Sequence, residues 1–138
     1  KALVAEDAEA CIIGPNLGFV STAEGGEIAV KFSFFTSSSV LFDAIYIPDG
    51  KNQAALASDP DVMEFLNDAY RHCKIIGTDG DGIDLLSAPQ FIAKGDDLKD
   101  GGIVTSSHTD KNSIETAFID AVKMHRFWQR EEVLGTNK

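Results

Sequence analysis

Residues 74–86 read KIIGTDGDGIDLL, an apolar run that ends in a glycine-rich turn and passes straight into a second apolar pattern. In α/β hydrolytic folds a strand-to-helix junction of this kind presents a nucleophile. This turn offers Thr78, Asp79 and Asp81, with neither cysteine nor serine. A threonine hydroxyl needs a base within hydrogen-bond reach before it can attack anything. The histidines are His72, His108 and His125. His72 precedes the strand that carries Thr78 and is expected to face outward near a helix end. His108 falls in a Ser-rich loop, and His125 falls on the apolar side of the last helix. None has a claim to partner Thr78.

Two other chemistries fit the turn poorly. A calcium loop needs oxygen ligands at positions 1, 3 and 5, Gly at 6 and Glu at 12. Counted from Asp79, those last three places hold Ile83, Asp84 and Gln90, so no metal site is expected. A phosphate cradle would use the exposed N–H groups of the glycines. The carboxylates of Asp79 and Asp81 oppose it, because two unit charges ~4 Å apart repel by roughly 4 kcal/mol at an effective dielectric near 20. Those carboxylates are better employed capping the turn's own N–H donors, and the same objection disposes of a flavin phosphate. A small-ligand crevice at the carboxyl ends of the strands remains as an alternative. Its candidate lining is Pro48, Asp49, Gly50, Thr78, Asp79 and Gly80.

A second stretch, MHRFWQR at residues 124–130, joins cations to aromatics. Such a sequence can stack on bases or grip a partner. The structural reading is that Phe127 and Trp128 fill core or interface while Arg126 and Arg130 find carboxylates. His125, Arg126, Trp128 and Arg130 are therefore the interface candidates.

Composition limits the classes. With 138 residues, 43% hydrophobic and 25% charged, the chain reads as a single globular domain over 1–138. A formal charge of −10 argues against nucleic acid, which needs clustered Lys and Arg. No apolar run approaches the ~20 residues of a membrane span. Cys11 and Cys73 have no metal-ligand spacing and read as buried free thiols.

The elements that must position these residues alternate. Residues 1–9 read as the last turns of a helix, so the chain is expected to be a piece of something longer, its compartment left open. Residues 10–14 read as a short strand and 18–32 as a hairpin turning at Gly25 and Gly26. Residues 40–48 read as a strand apolar on both faces, which marks cover on both sides. Asp59, Pro60 and Asp61 open a helix whose stripe runs Val62, Phe65, Leu66, Ala69, Tyr70 and Cys73. A strand over 74–78 and a helix over 81–86 follow, then weaker strands at 90–93 and 102–105. The last helix opens at Asn112 in capping-box fashion with Glu115, and its apolar face runs from Ile114 to Trp128. The pattern predicts an α/β fold, a flavodoxin-like open, mostly parallel sheet with helices on both faces.

Three segments, LFDAIYIPDG (41–50), DAYRHCKIIG (68–77) and KMHRFWQR (123–130), together resemble the C-terminal domain of large-subunit haem catalases, of the PfpI-type, class I glutamine-amidotransferase-like superfamily. The resemblance covers residues 2–130, and the His-Arg-x-Trp-x-Arg pattern is its most specific element. It implies a parent tetramer that dismutates hydrogen peroxide, with the haem and its proximal tyrosine, distal histidine and asparagine in the catalase core. It implies no cofactor in this domain, so Tyr46 and Tyr70 are not haem ligands. Enzymes of the superfamily carry Cys-x-Gly at the elbow. Their pattern places Thr78, Asp79 and Gly80 there, making the elbow vestigial. Their histidine would fall near Leu98, and their acidic residue and first strand precede this chain. The implied role is a non-catalytic domain that stabilises the parent tetramer, with unfolded client proteins as further partners of a chaperone-like holdase. The alternative is a small hydrolase or glyoxalase-like enzyme using Thr78.

Overall fold

The computed structural model describes residues 1–106 and 111–136. They form two compact units, Lys1–Ser38 and Ser39–Lys138.

The first unit opens with a single helical turn, α1 (Ala2–Ala5). The expected strand over 10–14 is short: β1 (Ile13–Gly14) pairs in parallel with β4 (Phe32–Ser33). Between them β2 (Gly18–Ser21) and β3 (Glu27–Val30) form the antiparallel ribbon that the glycine pair announced. Gly25 supplies the left-handed residue of its turn at φ +84°. The Thr22 hydroxyl accepts the Gly26 N–H at 3.0 Å.

The second unit is built on a parallel sheet of order β5 (Ala44–Ile47), β6 (Ile75–Asp79), β7 (Ile103–Ser106). Residues 75–78 of β6 are buried throughout, as a strand covered on both faces must be. Tyr46 and Gly77 share a register position, and on their face α5 (Lys111–Lys123) lays Phe118 edge-on to Tyr46, 5.2 Å between centroids. The helix α3 (Pro60–Arg71) also packs against β6. It begins where Asp59 predicted: the Asp59 carboxylate accepts the Asp61 N–H at 2.9 Å, and Pro60 takes the first position. Its stripe is buried as expected, except that Cys73 lies past the helix end, buried in a left-handed conformation.

Five expectations are corrected. Residues 39–41 form a 3-10 turn rather than the start of β5. The Ser39 and Phe42 carbonyls are taken by the buried Lys74 ammonium, so that segment bends toward a side chain instead of pairing with a strand. A short helix, α2 (Gln53–Ala57), fills the connection after residue 50, where nothing was predicted. The turn after β6 is a 3-10 turn, Gly80–Gly82, leading into α4 (Ile83–Leu86).

Residues 90–93 are not a strand. The Asn67 amide donates to the Gln90 carbonyl and accepts the Ile92 N–H, at 3.0 and 2.9 Å, satisfying as a side chain what a neighbouring strand would have satisfied. Finally, α5 begins at Lys111, so Asn112 stands inside its first turn. It ends at Lys123, because His125 turns left-handed at φ +68° and the Phe127 N–H leaves for the Cys73 carbonyl at 2.7 Å. A separate helix, α6 (Gln129–Thr136), follows. His125 and Trp128 therefore do not lie on the apolar face of α5.

Candidate functional site

All six residues of the expected crevice come together at the carboxyl ends of β5 and β6. The two strands are in register, Ile47 beside Thr78, so the loop 48–50 meets the turn 79–82. Two carboxylates tie them reciprocally. Asp79 accepts the Asp49 N–H at 2.5 Å and the Tyr46 hydroxyl at 2.8 Å. Asp49 in turn accepts the Asp81 N–H at 2.9 Å. The buried Gln53 of α2 holds the Pro48 carbonyl at 2.8 Å from beneath. Carboxylates do cap the N–H donors here, but each serves the other loop rather than its own.

Thr78 is 1% exposed, in the regular extended backbone of β6 between Ile47 and Thr105. Its hydroxyl has no hydrogen-bond partner among the described residues. The left-handed backbone of the turn comes two residues later, on Gly80 at φ +49°. A Cβ there would run into the Asp49 carboxylate, and one at Gly82 would stand 2.5 Å from the Ile47 carbonyl oxygen. Two glycines are required because two loops are pressed together.

His72 is exposed just before β6, and the Phe127 to Cys73 hydrogen bond holds the 125–127 segment near it. Both histidines thus sit at the amino end of a strand whose five residues span about 16 Å, with Thr78 at the far end. His108 lies outside the described residues. Among the described residues no group of three or more His, Cys, Asp and Glu side chains could hold a metal ion, and no helix is long and apolar enough to cross a membrane.

The interface candidates divide. Trp128 is 58% exposed and His125 is exposed. Arg126, half-buried, donates to the carbonyls of Asp43 and His125. Arg130 is 1% exposed and spent inside the chain. It makes a two-pronged pair with Asp100 at 2.7 and 2.9 Å and holds the Tyr70 and Lys74 carbonyls, with its guanidinium 4.2 Å from the Tyr70 ring centroid. Beside it is a 290 Å³ cavity lined partly by Asp96, Asp97, Phe127 and Val133. Sequence reasoning anticipated a carboxylate for Arg130 but did not identify Asp100, whose signal is its position before the Gly101-Gly102 close approach.

Tyr46 and Tyr70, the chain's two tyrosines, both have raised pKa values. Burial is the main cause for each; the bond to Asp79 adds to it for Tyr46, and the Asp100 charge adds for Tyr70. A folded-state value above the unfolded one of 10 means stability is intact below pH 10 and is lost as pH rises toward the folded-state values. Absorbance at 295 nm is expected to rise at a higher pH in the folded protein than in its urea-unfolded form. Half the phenolate signal appearing near pH 10 in the folded protein would show one ring to be free.

A family model for the C-terminal domain found in long catalases matches residues 1–132. The chain belongs to that family. "Catalase-2" of Bacillus subtilis (strain 168) is 37% identical over 131 residues, which are 94% of this chain and 18% of that protein. A catalase of Alkalihalophilus pseudofirmus is 36% identical over 122 residues, 88% of this chain and 17% of that one. The chain thus spans less than a fifth of the length of these relatives. Among solved structures, a ThiJ/PfpI domain protein from Brachyspira murdochii superposes with a TM-score of 0.76 at 14% identity, over 89% of this chain and 84% of its own. A two-domain protein of Anabaena variabilis with DJ-1/ThiJ/PfpI-like and ferritin-like domains gives 0.77 at 16%, over 88% and 42%. These confirm the flavodoxin-like α/β fold of the catalase domain.

Proposed function

We propose that this catalase domain does no chemistry of its own and serves the assembly of the long catalase that carries it, stabilising the parent tetramer. The observation that carries the reading is the closed elbow. The left-handed residue of the turn is a glycine, the space its side chain would need is filled by Asp49, and the Thr78 hydroxyl is buried with no hydrogen-bond partner among the described residues. An activated nucleophile needs the reverse: an accessible side chain with its base in contact. Of the two tyrosines, Tyr46 is held by Asp79 and Tyr70 lies under Arg130, which supports assigning the haem and the peroxide chemistry of the parent to the rest of the polypeptide.

In the full-length catalase, Thr78→Ala is expected to leave peroxide turnover unchanged, whereas removing the domain shortens the half-life of activity on heating. A tenfold or greater loss of peroxide or reactive-carbonyl turnover in Thr78→Ala would overturn the reading. Holding of unfolded clients is the finer part of the proposal, supported by exposed apolar side chains such as Leu41 and Trp128. Light scattering of a heat-labile enzyme tests it, and no suppression at several-fold excess of the catalase removes it.

A further inference from the structure

We propose that the β2–β3 ribbon is the surface by which this domain docks on the catalase portion of its own long polypeptide, an inference that rests on the accessory-domain reading above. Every residue of the two strands except Val30 is exposed. Alternation puts Val20 and its cross-strand partner Ile28 on one face and Phe19, opposite Ala29, on the other. Both faces are apolar and both are wet, with Phe19 71% exposed. Leu17 at the ribbon's base and Phe35 after β4 are exposed as well. A two-stranded ribbon is at best marginal in water without a covering layer, and large apolar side chains grouped this way mark an interaction surface.

The covering partner follows from length and charge. In the catalase relatives the matching stretch is 17–18% of the protein, so over four-fifths of each such polypeptide is tethered to this domain. A tether raises the local concentration of its partner to about the millimolar range, ahead of any partner that must diffuse in. A second copy is a poor candidate. Each chain carries −10, and residues 1–38 hold Lys1 and Lys31 against Glu6, Asp7, Glu9, Glu24 and Glu27, a local balance of 2 − 5 = −3, so two ribbons repel.

The test places a photoreactive benzoyl-phenylalanine at position 19 of the full-length catalase, with the same residue at the exposed Lys51 as control. After irradiation, digestion and mass spectrometry, position 19 is expected to give adducts in the catalase portion at least tenfold above position 51. Adducts confined to this domain's own residues, to the ribbon of a second copy or to a bystander protein would overturn the proposal, as would none above the control. Domain removal separates the two readings. If it still hastens heat inactivation while position 19 gives no such adducts, the accessory role stands and this surface falls.

Discussion

Replacing Arg130 with alanine is expected to destabilise the domain by about 3–5 kcal/mol, the cost of breaking a buried ion pair from one side. At this size that is a fall of roughly 10–20 °C in Tm. Three groups lose a bond to the guanidinium together: the Asp100 carboxylate, which is 16% exposed, and the carbonyls of Tyr70 and Lys74. Those carbonyls lie at the end of α3 and the start of β6, and Asp100 also accepts the Gly102 N–H at 2.8 Å. One guanidinium therefore joins α3, β6, the approach to β7 and α6. Lysine should recover little, because an ammonium cannot reproduce the planar fork that spans carboxylate and carbonyls. Thermal melts of Arg130→Ala and Arg130→Lys check this. A loss under 1 kcal/mol in the alanine variant would mean that water replaces the guanidinium and the network is not structural.

Gly77→Ala is expected to cost about 3 kcal/mol, the upper part of the usual range for overpacking. A Cβ at Gly77 would stand 2.5 and 2.8 Å from two ring carbons of Phe118 and 3.0 Å from one of Tyr46. Neither ring has an easy retreat. Phe118 is buried on the side of α5 that meets the sheet, and Tyr46 is fixed at its hydroxyl by Asp79. Pushing Tyr46 aside would pull on the carboxylate that joins the two loops of the elbow, so damage in the core should reach the site. Phe118→Leu in the same chain should restore part of the loss, because it removes the clashing ring edge, and a double-mutant cycle by urea unfolding measures the coupling. Additive losses would place the clash elsewhere.

Local signals were read correctly where the physics is local. Asp59-Pro60-Asp61 starts α3 because an acceptor side chain and a ring-fixed φ act within one turn. Gly25 turns the ribbon because little else accepts its φ. The meeting of the loops at 48–50 and 78–80 could be anticipated because in parallel sheets the loops at one end converge.

Three of the errors came from contacts that reach across the fold. Lys74 bends 39–42 away from a strand, Asn67 satisfies the backbone of 90–92, and Cys73 takes the Phe127 N–H that ends any continuation of α5. None of those partners lies within twenty residues of the segment it governs, so no periodicity could report it.

The sequence by itself determined the alternation of strands and helices, the helix start at Asp59, the hairpin and the acidic, glycine-rich turn, because each depends on neighbours a few bonds away. Only the tertiary structure decided that this turn is shut. Asp49 follows β5 and Asp79 ends β6, and the bonds that Asp79 accepts from the Asp49 N–H and Asp49 from the Asp81 N–H exist only once the two strands are in register. It likewise decided that Arg130 is a buried tie while Trp128, two residues away, faces solvent. Burial of a charge depends on which carboxylate and carbonyls the folded chain brings to it.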